Sequence, residues 1–397
     1  MIANALRYYV NTYKGLSREI WLLAFVNLVN RCGTMVGAFL MIYLTSQIHC
    51  TLTQAGSVIA IFGIGAIFGS LLGGKLTDLF GFYKVQLGTL IAGGCIFIVL
   101  GQLHTYTSIS VCAFILGLVN EAFRPANTAA MAKYSDEKNR MRSFSLMRLA
   151  FNLGWAVGGG LGGIIASYSY QYLFWIDGIT NMLAAALIYF LLPPIVTTSI
   201  KEKLEKTVAK VSVYKDKIFM MFALVSLLYI MSFFQMLSNL TTFFKNEVHL
   251  SERYIGFLMM WNGLLIVFIE MSLVYYIEKN WSKRKAIIFG VSLHIIAYLL
   301  LLIFKVNFLV AFAAMTFITL SEIFAFAVLV SFWMNRTNDS NRGQYAGVWT
   351  MTWAIAQSTG TLSGAAIAEH FGFNMLWIMV ILFCATAIFF YSRLIKN

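Results

Sequence analysis

The chain has 397 residues, of which 60% are hydrophobic and 11% charged, with a mean hydropathy of +0.77. Such proportions exclude a water-soluble globular domain and point to a protein embedded in lipid. The formal net charge of +13 does not imply a nucleic-acid partner, because the basic residues are sorted by segment along the chain rather than gathered in one patch.

In chain order, the first 18 residues carry Arg7, Lys14 and Arg18 among tyrosines, with no apolar core and no cleavage site, and predict an interfacial helix rather than a signal peptide. Apolar stretches long enough to cross a bilayer follow near 19–45, 54–78, 84–103, 106–133, 143–167 and 170–193. A polar stretch, 194–217, opens with Pro194 and holds six lysines. Six more apolar stretches follow near 218–246, 253–278, 284–304, 307–335, 343–369 and 372–393. With the N-terminus in the cytoplasm, 23 basic residues fall on inner segments, three (Lys245, Arg253 and Lys305) on outer loops, and Arg31, Arg124 and Arg148 inside spans. That bias predicts cytoplasmic termini, and the expected location is the cytoplasmic (inner) membrane of a bacterium. A shift of 202 residues aligns Asn139-Arg140 with Asn341-Arg342, Gly158 with Gly360, Gly162 with Gly364, Trp175-Ile176 with Trp377-Ile378, and Tyr189 with Tyr391. The expected fold is all-α, with twelve transmembrane helices in two pseudo-symmetric six-helix halves, 1–193 and 218–397, joined by a cytoplasmic linker, 194–217.

Between spans 2 and 3 the chain reads Gly74-Lys75-Leu76-Thr77-Asp78-Leu79-Phe80-Gly81-Phe82-Tyr83-Lys84. This resembles the signature of the major facilitator superfamily at Gly74, Leu76, Asp78, Gly81 and Lys84, with Leu79 and Phe82 at two positions that are usually basic. Gly74 permits close helix approach, Gly81 a tight turn, and an anionic Asp78 can sit against a helix N-terminus, which the resemblance assigns to span 11 near Arg342-Gly343-Gln344. Span 5 contains Gly154, Gly158, Gly162 and Gly163 in a run that is similar to the Gly-rich motif of the superfamily's antiporters, with Gly159 where that motif has Pro. Small residues at i, i+4 and i+8 form a groove for a neighbouring helix. Phe123-Arg124-Pro125-Ala126-Asn127, with Ser135-Asp136-Glu137-Lys138-Asn139-Arg140 after it, resembles the span 4 to span 5 region of bacterial proton-coupled drug exporters.

Ionisable side chains in mid-membrane are the sharpest functional signal, since a charge at the bilayer centre costs at least ~2.5–3.5 kcal/mol unless paired or hydrated. Four stand out: Arg31 in span 1, Glu121 in span 4, Glu270 in span 8 and Glu322 in span 10. The resemblance makes spans 1, 4, 7 and 10 the cavity lining. The expected partner of Glu121 is Arg124, three residues after it, or Arg31 across the cavity, and the partner on the same helix face favours Glu121 over Glu322 as the proton carrier. Arg148 is expected to snorkel to the cytoplasmic face. Asn27, Asn30, Gln235, Asn239, Trp261, Asn262, Trp353 and Gln357 are the candidate substrate-cavity residues, uncharged polar handles among large apolar surfaces that suit amphipathic organic molecules. Asn27-Leu28-Val29-Asn30-Arg31 shares only its Arg with the first-span motif of proton-coupled peptide transporters.

The expected function is proton-coupled export of small amphipathic organic compounds by alternating access, with protons and one small-molecule substrate as partners and the monomer as functional unit. A proton-coupled importer of peptides, amino acids or another nutrient shares the fold, and a lipid flippase or membrane-embedded enzyme is the alternative from another class. Cys32, Cys50, Cys95, Cys112 and Cys384 show no metal-ligand or disulfide spacing, and His294, inside a span, has no neighbouring acid, so no metal, cofactor or catalytic residue is implied.

Overall fold

The computed structural model describes residues 15–136, 139–194, 213–337 and 342–395. Most of the expected linker, the expected interfacial helix before residue 15, and the loop residues Glu137, Lys138 and Asn341 lie outside that set. The described residues are helical, without strands.

Span 1 consists of α1 (Arg18–Cys32) and α2 (Met35–Ser46), and spans 2–6 are α3 (Leu52–Phe80), α4 (Phe82–Leu100), α5 (Tyr106–Tyr134), α6 (Arg140–Ala166) and α7 (Gln171–Leu191). Span 7 consists of α8 (Lys217–Phe234) and α9 (Asn239–Asn246), and spans 8–12 are α10 (Glu252–Asn280), α11 (Lys283–Ile303), α12 (Phe308–Met334), α13 (Arg342–Phe371) and α14 (Phe373–Leu394). Eleven of the spans are long and apolar enough to cross a bilayer. The other, span 11, has 30 residues, and its Gly, Ser and Thr content marks a helix that packs against protein on several sides.

Two discontinuities were not expected. Span 1 breaks at Gly33-Thr34 and span 7 at Gln235–Leu237, a short 3₁₀ turn that lies at the same 202-residue offset. Both spans also end alike. The Ile48 and Cys50 amides donate to the Tyr43 and Leu44 carbonyls, and 200 residues later Val248 and Leu250 donate to Phe243 and Phe244. His49 and His249 take left-handed φ values of 59° and 57° in these turns, so both have a backbone role in ending their helices.

Packing between spans 1–6 and spans 7–12 is concentrated at the end of the bundle remote from the termini. Span 2 meets span 11 there, with Gly56 against Ala365 and Gly63 against Ser358, and span 5 meets span 8, with Gly163 against Gly256 and Gly263 against Ala156. Half-helices α2 and α9 also pack together. Hydrogen bonds tie the same end: the Thr53 amide donates to Glu369 at 2.6 Å, Tyr170 to Glu252 at 2.8 Å, and Arg253 to Ser167 at 3.0 Å. At the end carrying the termini, by contrast, a Cβ on Gly74 or Gly347 would meet nothing within 4 Å, and Leu79 is 75% exposed. The bundle is closed at one end and splayed at the other.

Candidate functional site

The break in span 1 is held by span 6. A new helix N-terminus leaves amides without intrahelical partners, and lipid offers none. Asp177 supplies them: its two carboxylate oxygens accept from the Met35 amide at 3.1 Å and the Val36 amide at 2.9 Å. One turn along span 6, Asn181 accepts from Asn30 at 3.0 Å and donates to the Asp177 carbonyl at 2.8 Å. Gly33 is required here, because a Cβ would collide with Thr180. Asp177 is fully buried and is a further ionisable residue within the spans, absent from those expected; its signal in the sequence is a lone acid in the apolar run Phe174–Ile179.

Arg31 closes α1 immediately before this break. Its guanidinium lies over the Phe151 ring of span 5, 4.2 Å from the centroid, and its Nε is buried without a hydrogen-bond partner. Glu121 and Arg124 of span 4 stand within electrostatic reach of it and pair with each other at 3.5 Å, as the i, i+3 spacing implied. Arg148, three residues before Phe151 on span 5, pairs with Glu270 of span 8, so it does not snorkel to the membrane face as expected. Among the described residues Glu322 has no cation within ion-pair distance; Asn262 Nδ2 is 3.4 Å from its Oε2, and Arg148 is within electrostatic reach. Spans 4 and 10 show no extended packing on each other, so Glu121 and Glu322 sit on separate helices in different groups.

A model of the Major Facilitator Superfamily matches residues 23–361. The chain belongs to the major facilitator superfamily. Its relatives include the MFS-type transporter YttB of Bacillus subtilis (strain 168), 24% identical with 90% of each chain covered, and a Na(+), Li(+), K(+)/H(+) antiporter of Planococcus maritimus, 23% identical with 89% of each covered. The fold is similar to that of the nucleoside transporter NupG, with a TM-score of 0.78 at 13% identity over 96% of this chain and 100% of that one.

The superfamily signature lies at the splayed end. Gly81 makes the turn into span 3 with φ 82°, while Asp78 and Lys84 are exposed, and Asp78 has no hydrogen bond or ion pair among the described residues. The Gly-rich face of span 5 serves two neighbours. Gly154, Gly158 and Gly162 pack on span 1 at Arg31, Cys32 and Met35, whereas Gly163 packs on span 8.

Several expected cavity residues belong to seams between helices instead. Asn27 and Asn127 exchange hydrogen bonds at 3.1 and 2.9 Å, Gln86 adds a third amide at 3.2 Å, and Asn27 and Asn30 are buried. Gln235 and Asn239 are buried in the span 7 break, donating to the Gly360 and Thr361 carbonyls of span 11. Gln235 also donates to the Met231 carbonyl one turn before the break and accepts from Asn239, so the two amides tie the break in span 7 to span 11. Asn262 is buried and donates to Thr319, and Trp261 is fixed by a hydrogen bond to Thr316 at 3.0 Å. Trp353 and Gln357 are part-exposed on span 11; Trp353 packs edgewise on Phe234 and against Phe326, and the Gln357 amide has no bonded partner among the described residues. A groove lined by Cys95, Val99, Thr105 and Val111 opens on the outside of spans 3 and 4, away from all these charges.

Proposed function

We propose that the protein is a proton-coupled antiporter that exports small amphipathic organic compounds. Membership of the superfamily makes it a multi-pass membrane protein and a transporter of small molecules. The proposal adds a bacterial cytoplasmic membrane, cytoplasmic termini, action as a monomer, and two six-helix halves, 1–193 and 218–397, that rock about the cleft. With the termini inside, the splayed end faces the cytoplasm, ready to take up cargo from within.

The observation that carries the reading is Glu322, a mid-membrane acid without an ion-pair partner among the described residues, within electrostatic reach of Arg148. Glu121 has Arg124 to offset its charge; Glu322 has one long amide contact, and taking a proton removes the charge altogether. Any motion of span 5 against span 10 changes the distance from Arg148 to Glu322 and thereby the proton affinity, which links proton binding to access. Glu322 is therefore preferred to Glu121 as the coupling acid, reversing the order that spacing alone suggested. The small residues of spans 2, 5, 8 and 11 supply contacts along which the halves slide, and the antiporter relative agrees with exchange.

The test is proton movement in reconstituted vesicles carrying a pH-sensitive dye. Adding a transported amphipathic compound should drive protons in the direction opposite to it. Movement of both in the same direction would make the protein an importer.

A further inference from the structure

We propose that the cargo is an organic anion, and that Arg31 is the docking point for its carboxylate. The assignment rests on the transporter reading above and adds the chemical class of the substrate. Of the three arginines in mid-membrane, Arg124 is paired with Glu121 and Arg148 with Glu270. Arg31 has neither an ion pair nor a side-chain hydrogen bond among the described residues, and its buried Nε lacks an acceptor. A guanidinium held at this depth needs a counter-charge or acceptors, and the protein supplies neither directly.

The surroundings explain how it is held. Phe151 covers one face of the guanidinium, which leaves the in-plane N–H donors free at the edge. A Cβ on Gly154 would lie 2.5 Å from the Arg31 Cβ, so the base of the Arg31 side chain packs directly on the backbone of span 5. The last turn of α1 places the negative end of a half-helix dipole behind it. The N-terminus of α2, the other obvious place for an anion, is already closed by Asp177.

Charge along the spans gives the polarity of the cargo. Glu121 offsets Arg124 and Glu270 offsets Arg148, so spans 1, 4 and 5 are left with one unmatched positive charge, Arg31, whereas Glu322 stands on span 10. A planar carboxylate matches the edge of a guanidinium through two parallel hydrogen bonds, and its single charge balances Arg31 without excess. An apolar or aromatic body would then lie toward Trp353 and Phe326.

The experiment uses the full-length protein in lipid nanodiscs and three probes with one body: phenylbutyrate, phenylbutyramide and phenylbutylamine, with binding read from tryptophan fluorescence and transport from vesicles. Phenylbutyrate should bind at least ~10-fold more tightly than the amide or the amine, as charge-assisted pairing requires. Arg31→Gln should erase that preference and Arg31→Lys should keep part of it. Equal binding of the three probes to the unaltered protein, which needs no variant to fold, would overturn the assignment. A preference that survives Arg31→Gln would overturn it too, as would competition by chloride or inorganic phosphate as effective as that by phenylbutyrate. Transport of the amine against protons without a preference for the acid would overturn the anion site and leave the antiporter reading standing. An acid preference dependent on Arg31, with no proton movement linked to transport, would support the site and sink the proton coupling.

Discussion

Replacing Gly163 by Ala perturbs the closed end of the bundle at one defined contact. The added methyl would lie 2.6 Å from Gly256 Cα and also against the Glu252 carbonyl, and because both are backbone neither can rotate away. Ordinary contact begins at 3.4 Å, so raising 2.6 Å to that value alone parts spans 5 and 8 by at least about 0.8 Å. Overpacking of this kind costs ~1–3 kcal/mol. The cost falls only on the state in which these helices touch, so the balance should move about 5- to 150-fold toward the state open at that end. Gly74→Ala is the control, since its methyl meets nothing within 4 Å. The assay is the distance between spin labels at Tyr172→Cys and Leu309→Cys, both exposed at that end, in a background lacking Cys32 and Cys95, the two cysteines that are not buried. Gly163→Ala should enlarge the long-distance population and Gly74→Ala should not. Unchanged distances in Gly163→Ala, or an equal shift in Gly74→Ala, would refute the assignment of this contact to the gate.

Asp177→Ala removes the acceptors of two buried amides, at about 1–3 kcal/mol each, and should lower the thermal unfolding midpoint, with Asp177→Asn between it and the parent; identical midpoints for all three would contradict the lock on α2. Asp216 lies just outside the membrane at the start of span 7, where burial pushes its carboxyl up but is outweighed by hydrogen bonds from Arg336, the Phe219 amide and Tyr345, which hold it below the ordinary carboxylate value. A lowered carboxyl stabilises the fold above the unfolded value of about pH 4 and loses that contribution as pH falls through the folded value. Asp216→Asn should therefore melt below the parent at neutral pH, with the gap closing on acidification, and a gap independent of pH would count against the cluster.

The spans were legible because hydropathy and length are local properties: the run from Leu52 to Phe80 or from Phe373 to Leu394 reads as a membrane helix without knowledge of its neighbours. The Gly-rich face of span 5 was legible as a packing surface for the same reason, although its division between span 1 and span 8 depends on where those helices lie. The break in span 7 was not legible, since Gln235, Met236 and Leu237 include no Gly or Pro, and the amides that stabilise it bond to carbonyls of Gly360 and Thr361, more than 120 residues away. Asp177 was missed for a related reason. Its partners are backbone amides 141 and 142 residues earlier, and nothing in their side chains announces them. Spacing revealed the Glu121–Arg124 pair because both residues share one helix face; Arg148–Glu270, formed between two helices, needed the fold.

The central claim is that Glu322 carries the proton, and the most direct measurement is proton-driven accumulation of a transported compound in vesicles containing Glu322→Gln. Accumulation against a gradient should be lost while downhill exchange persists, and Glu121→Gln should retain accumulation. Full proton-driven accumulation in Glu322→Gln would contradict the claim.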